Sequence, residues 1–247
     1  MKNTTHFGFK EIPSDEKTHR VRQVFNSVAH QYDLMNDIMS VGLHRLWKRV
    51  AIESIAIRPA MQVLDLAAGT GDLGRSIAKR AGSEGNVILA DINDQMLRIG
   101  RDRCINQGQL KGLTWCQCDA ENLPYSEDSF DRVTIGFGLR NVTNKEIALK
   151  EMLRVLKPGG KALILEFSKP ISRSLTQLYD VYSFSILPLM GQLITQDRDS
   201  YQYLAESIRK HPDQETLSQM MTDSGFTSIS YQNLSGGIVA IHIGMKS

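Results

Sequence analysis

The run Val63-Leu64-Asp65-Leu66-Ala67-Ala68-Gly69-Thr70-Gly71-Asp72-Leu73-Gly74 decides the architecture of this chain. It begins as a short apolar run and ends as the start of an amphipathic one, so a strand passes through a glycine loop into a helix. Gly69, Gly71 and Gly74 spell G-x-G-x-x-G, and Asp91 stands 20 residues beyond Gly71 at the end of the next apolar run. That is the layout of a nucleotide-binding βαβ unit. The glycines let the backbone approach a ligand, and the acid receives the ribose hydroxyls.

Working outward, Met61–Leu66, Asn86–Ala90, Leu113–Cys118, Arg132–Phe137 and Lys161–Phe167 read as strands. The stretches Leu73–Lys79, Asp94–Asn106 and Lys145–Leu156 read as helices between them, and Lys157-Pro158-Gly159-Gly160 as a helix stop and turn. Strands alternating with helices predict an α/β fold with a doubly wound, mostly parallel sheet. Asp199–Lys210 and Asp213–Asp223 read as further helices, and Phe226–Asn233 and Ile238–Met245 as a closing pair of strands. The first sixty residues read as helical, with Val21, Val24, Phe25 and Val28 at helical spacing and a second helix from Leu43 to Ile55. The expected organisation is one structural domain: a helical lid over 1–60 and a core over 61–247, with an apolar helical segment inserted near 171–224.

The 247 residues, 41% hydrophobic and 23% charged, suit one large globular domain, and a net charge of only +2 argues against a nucleic-acid partner. Cys104, Cys116 and Cys118 are odd in number and form no Cys-x-x-Cys pair, so core packing is expected rather than a disulfide framework or a metal site. The polar start and the lack of an apolar run of spanning length predict a cytoplasmic protein, with peripheral contact at the inner membrane face left open. His211, beside a Pro-containing break, is expected at the surface.

Two ligands compete for the glycine loop. A dinucleotide would set its pyrophosphate beside Asp65 and Asp72, which repel it; S-adenosylmethionine (SAM) instead presents a sulfonium and an ammonium that acids attract. Asp119 and Ala120, after the third strand, suit an adenine amino group and ring. Taken in order, these elements resemble the class I SAM-dependent methyltransferase fold, which implies a seven-stranded Rossmann-like sheet with an antiparallel last strand. In that fold the first of three alternating glycines stands where this chain has Ala67.

Three segments lie outside that core pattern: Phe25 through Tyr32-Asp33-Leu34-Met35-Asn36-Asp37 to Lys48, Phe137-Gly138-Leu139-Arg140-Asn141-Val142, and Glu166-Phe167-Ser168-Lys169-Pro170 continued by Tyr182-Ser183-Phe184 and Tyr201 to Ile208. With them the chain resembles, nearly end to end, the ubiquinone/menaquinone biosynthesis C-methyltransferase family. The resemblance implies methylation of a ring carbon of demethylmenaquinol or of 2-methoxy-6-polyprenyl-1,4-benzoquinol. It implies SAM as cofactor, held at Thr70, Asp91, Asp119 and Ala120, with Asp65, Gly69 and Gly71 forming the loop. Gly136 stands where the family carries a serine, and Ala68 where it usually carries glycine.

Arg140 is expected to stabilise a phenolate, Asn141 to orient its hydroxyl, and Tyr32 to hydrogen-bond substrate from the lid; an ion pair for Arg140 and a helix cap for Asn141 remain open. The apolar stretch from Phe184 through Leu189 and Met190 to Leu193 and Ile194, faced by Met35, Ile38 and Met39, suits a prenyl tail. A homodimer or a quinone-biosynthesis complex is left open. The competing readings are an NAD-dependent oxidoreductase and a non-catalytic SAM-fold subunit.

Overall fold

The computed structural model describes residues 4–29, 32–109, 111–192 and 197–247, and of Tyr32 and Asp33 the backbone alone. The chain opens not on a helix but on an antiparallel hairpin, β1 (Thr4–Phe7) and β2 (Lys10–Pro13). Two such short strands are marginal alone. This pair is held by distant residues: the Phe9 amide donates to Glu206 at 3.0 Å, and Phe7 stacks on Tyr203 at 4.2 Å between ring centroids.

Helices α1 (Ser14–Val28), α2 (Tyr32–Ser40) and α3 (His44–Ser54) follow. The stretch between the two expected helices is therefore itself helical. Strand β3 (Gln62–Leu66) then leads through the glycine loop to α4 (Asp72–Ala81), β4 (Asn86–Asp91), α5 (Asp94–Asn106) and β5 (Leu113–Gln117). Beyond them come β6 (Phe130–Gly136), α6 (Lys145–Val155) and β7 (Leu156–Phe167). The second half holds α7 (Arg173–Val181), a π-helical turn (Tyr182–Ile186), α8 (Leu187–Met190), α9 (Arg198–Lys210), α10 (Gln214–Asp223), β8 (Thr227–Leu234) and β9 (Val239–Met245).

Seven strands make one sheet in the order β5-β4-β3-β6-β7-β9-β8. The first five run parallel; β9 runs antiparallel to both β7 and β8. This is the expected doubly wound sheet with its last strand reversed. The expected turn at 157–160 is instead the first part of β7. Gly159 takes a left-handed φ of +76°, its amide donates to the Lys246 carbonyl, and the Lys246 amide donates to Gly160, so β9 captures the segment as strand.

Alternation along β7 builds two cores. Leu163, Leu165 and Phe167 pack with Trp47, Tyr201 and Leu204 on one face. Ala162 and Ile164 pack with Leu149, Met152 and Leu217 on the other. His211 is buried at 3% exposure, contrary to the surface position expected, because the break after α9 folds inward; burial depresses its pKa. Of the cysteines only Cys104 is buried; Cys116 and Cys118 are half-buried on β5 and just beyond it.

Helix α5 lies against the glycine loop at Gly100, where an added Cβ would sit 2.6 Å from the Thr70 carbonyl oxygen. Helix propensity favours Gly→Ala by about 1 kcal/mol; here the backbone contact reverses the sign. Gly100→Ala is expected to destabilise by about 1–3 kcal/mol in urea denaturation. A stabilised variant would show that the helix and loop are not in such close contact.

Candidate functional site

The carboxyl ends of β3, β4 and β6 meet where the strand order reverses, the place at which open α/β sheets bind ligands. Here the glycine loop is built around Asp91. The Gly69 amide donates to Asp91 Oδ2 at 2.8 Å and the Asn93 amide to Oδ1 at 2.8 Å. Burial pushes the Asp91 carboxyl up, and these bonds pull against it. Each oxygen of a carboxylate can accept more than one hydrogen bond, so acceptor capacity remains for a ribose diol. Gly71 turns the chain into α4 at φ +81°, and a Cβ there would lie 2.8 Å from the Trp115 ring.

A cavity of about 100 Å³ opens against this loop. Gly69 and Asp91 form one wall, Cys118, Asp119 and Ala120 another, and Phe137, Gly138 and Asn141 a third. Asp119 accepts from the Glu121 amide at 2.9 Å. Thr18, Val21, Arg22 and Phe25 of α1 close the cavity. Two bonds tie α1 down: Lys17 Nζ donates to the Val142 carbonyl at 3.1 Å, and Asn93 Nδ2 donates to Asn26 at 2.8 Å. An acid set for a ribose, a half-apolar wall for a purine and a backbone approach made by glycine together fit an adenosine.

Asp65, Thr70 and Gly136 lie elsewhere, around a recess of about 20 Å³ shared with Lys48 and Asp72. Asp65 is buried, and Thr134 donates to it at 2.6 Å. Burial pushes its carboxyl up to about 7. Asp72 is not a free acid. Burial raises it, but Lys48 at 3.4 Å and Arg75 at 2.5 Å outweigh burial and hold it below the ordinary carboxylate range. The expected repulsion of a pyrophosphate by two bare carboxylates is therefore largely cancelled, and the choice of ligand has to rest on other grounds. A Cβ on Gly136 would meet one methyl of Leu73 at 3.2 Å, a contact that a small shift of that side chain relieves.

Beyond β6, Leu139–Asn141 form a 3-10 turn. Arg140 does not project into the cavity. Its guanidinium, 4% exposed, donates to Glu166 Oε1 at 3.0 Å and to the Phe137 carbonyl, and its amide donates to Glu166 Oε2 at 3.2 Å. The ion pair left open by the sequence is the arrangement found, in place of an open phenolate contact. Asn141 does line the cavity, and Tyr203 donates to its Oδ1 at 3.0 Å. The side chain of Tyr32 lies outside the described residues.

Two positions here carry left-handed backbone without being glycine, Ala67 at φ +48° and Phe137 at φ +58°, strain of a kind that concentrates at functional sites. Phe137 borders both cavity and recess; the sequence marked it as the start of the segment after the fourth strand but gave it no site role. Lys48, Asn93, Glu166 and Tyr203 were missed as site residues too; each acts through a partner distant in sequence.

On the far side of Phe137 runs an apolar groove of about 350 Å³, lined by Met39, Leu43, Trp47, Leu178, Val181 and Ile186 among others. Phe167 also lines it, and its ring centroid stands 4.9 Å from that of Phe137. Met39 and Ile186 belong to the segments expected to hold a tail. Leu187 and Met35 are instead buried, the groove uses α7 one turn earlier, and Leu193 and Ile194 lie outside the described residues.

The model for the ubiE/COQ5 methyltransferase family matches residues 13–246. A "Ubiquinone/menaquinone biosynthesis C-methyltransferase UbiE" of Marinomonas sp. (strain MWYL1) is 61% identical, covering 100% of this chain and 98% of its own. The protein of the same description from Ectopseudomonas mendocina (strain ymp) is 59% identical, covering 98% and 95%. Among solved structures, a SAM-dependent methyltransferase of Thermotoga maritima, described as a possible histamine N-methyltransferase, superposes with a TM-score of 0.64 at 19% identity, covering 91% and 99%. A SAM-dependent methyltransferase of Aquifex aeolicus gives 0.56 at 16% identity, covering 80% and 88%. These two structures bear on the fold alone.

Two predictions follow from the buried charges. Arg140→Ala strands Glu166 in the core and is expected to cost about 3–5 kcal/mol of stability, part of it regained in the Arg140→Met/Glu166→Gln double variant, which removes both charges and keeps an acceptor for the Arg140 amide. Equal stability of single variant and parent in denaturant titrations would contradict the buried pair. Asp65 binds its proton more tightly folded than unfolded, so its contribution to stability is full below the ordinary 3.8 and is lost as pH rises through 7. The span is on the order of 4 kcal/mol. Asp65→Asn should flatten the ligand-free protein's stability over that window; an unchanged slope would place the titration elsewhere.

Proposed function

This chain belongs to the ubiE/COQ5 methyltransferase family, and from that premise we propose that it methylates a ring carbon of a prenylated quinol. The enzyme is a SAM-dependent C-methyltransferase of quinone biosynthesis. Its substrate in this reading is demethylmenaquinol, 2-methoxy-6-polyprenyl-1,4-benzoquinol, or both. The observation that carries the reading is the adjacency of two unlike spaces: a cavity lined by Asp91, Asp119 and Phe137, and an apolar groove lined by Phe167, whose ring packs on that of Phe137.

SAM, when bound, supplies an electrophilic methyl on a sulfonium. Asp91 would hold its ribose, Asp119 and Ala120 its adenine, and Asp65, Thr70 and Gly136 would border its amino-acid end. The groove takes the prenyl tail and so orients the quinol ring toward the cavity. Asn141, fixed by Tyr203, holds a ring hydroxyl and keeps its proton directed away from the reacting carbon.

Arg140 is a positioning residue. Through Glu166 and the Phe137 carbonyl it fixes both Asn141 and the strained Phe137. Residues 1–60 act as a cap, with α1 excluding water from the cavity and α2 and α3 forming one bank of the groove.

Steady-state kinetics with SAM and a reduced demethylmenaquinone test these roles. Asp91→Ala is expected to raise KM for SAM by about 10–100-fold, the worth of one or two charge-assisted hydrogen bonds. Tyr203→Phe should lower kcat by a larger factor than it raises KM for SAM, because it loosens Asn141 while Asp91, Asp119 and Ala120 keep their places. Quinol turnover absent in the parent enzyme, or NADH binding in preference to SAM, would overturn the reading.

A further inference from the structure

Helix α3 presents two unlike faces. Leu43, at its start, and Trp47 line the apolar groove. Arg45, Lys48 and Arg49 line a separate open cleft of about 480 Å³, together with Arg75, Lys79 and Arg80 of α4.

The carboxylates near this cleft are few. Asp72 lies 3.4 Å from Lys48, 2.5 Å from Arg75 and 3.7 Å from Arg103. Asp37 lies 2.7 Å from Arg45, and Glu53 lies 3.3 Å from Arg49 and 3.5 Å from Arg80. Seven cations thus meet three carboxylates, an excess of four, on a chain whose whole net charge is +2. Among the described residues, these ion pairs leave the cleft a local excess of positive charge.

The border between cleft and groove is apolar and open to solvent. Val41 is 77% exposed, Leu46 is 55% exposed, and Leu43 is exposed beside them. Across the groove Leu178 and Val181 are exposed as well. Cationic side chains beside exposed aliphatic ones match an anionic bilayer, where phosphates lie at the surface and acyl chains just beneath. A single-stranded nucleic acid would call for aromatic side chains on which to stack bases, and none of the residues lining the cleft is aromatic.

We propose that this face docks on the phosphate headgroups of anionic phospholipids and sets the mouth of the apolar groove against the bilayer. That the groove then receives its quinol from the membrane rests on the prenylated-quinol reading; the docking itself does not.

Vesicle co-sedimentation of the full chain tests it, using phosphatidylcholine vesicles with and without phosphatidylglycerol. The protein should bind only the phosphatidylglycerol vesicles and be released by salt. The variant Arg45→Gln/Arg49→Gln/Lys79→Gln changes three exposed side chains outside the cavity and groove. It should lose at least about tenfold in partitioning, since each cation near such a surface is worth about fivefold. The same variant should turn over a short-chain, water-soluble quinol at the parental rate and a vesicle-embedded prenyl quinol more slowly.

Binding indifferent to phosphatidylglycerol, or a variant that partitions and works on vesicles as the parent does, overturns the docking proposal. So does capture of an RNA oligonucleotide through these cations without vesicle binding. Failure of the quinol reading looks different: neither quinol is turned over, while vesicle binding still depends on the three cations.

Discussion

One carboxylate organises the ligand-binding end of this protein. Asp91, at the end of β4, accepts the amide of Gly69 from the loop after β3 and the amide of Asn93 at the start of α5. These bonds fix two loops against each other, and Asp91 still lines the cavity. Burial opposes the charge that does this work, so the site depends on backbone donors being present at close range. Around those donors, Gly71 turns the chain left-handed into α4 and Gly100 lets α5 lie against Thr70.

A second constraint joins the two spaces of the enzyme. Phe137 sits at φ +58° between cavity and groove, and it is kept there by the Arg140–Glu166 pair below and by Phe167 and Trp47 beside it. A buried ion pair is a poor source of net stability. What it provides here is a fixed backbone at the one place where an aromatic wall must separate a polar ligand from an apolar one. The pair turns the Arg140 guanidinium to Glu166, while Asn141 lines the cavity.

The sheet was legible because its strands are apolar runs punctuated by glycine and acid, and each of these signals is local. The hairpin at Thr4–Pro13 was not, because its stability comes from Glu206 and Tyr203 at the other end of the chain. The same distance hid the environment of Asp72, an acid by sequence but an ion-paired one in the fold, and the partner of Arg140, which lies 26 residues away on the neighbouring strand. His211 read as exposed from its Pro-containing context yet is buried, since local sequence does not report where a turn points. Asp91, Asp119, Ala120 and Asn141 do come together at one cavity, while Asp65, Thr70 and Gly136 gather at a separate recess.

The central claim is transfer of a methyl group to carbon rather than to oxygen, on a ring carrying a prenyl tail. It is tested most directly by incubating the enzyme with SAM bearing a deuterated methyl and a reduced demethylmenaquinone, then locating the label by NMR and mass spectrometry. The account predicts an intact deuterated methyl on the ring carbon beside a hydroxyl, with loss of the ring proton. A label found on oxygen, or a quinone recovered without label, would contradict it.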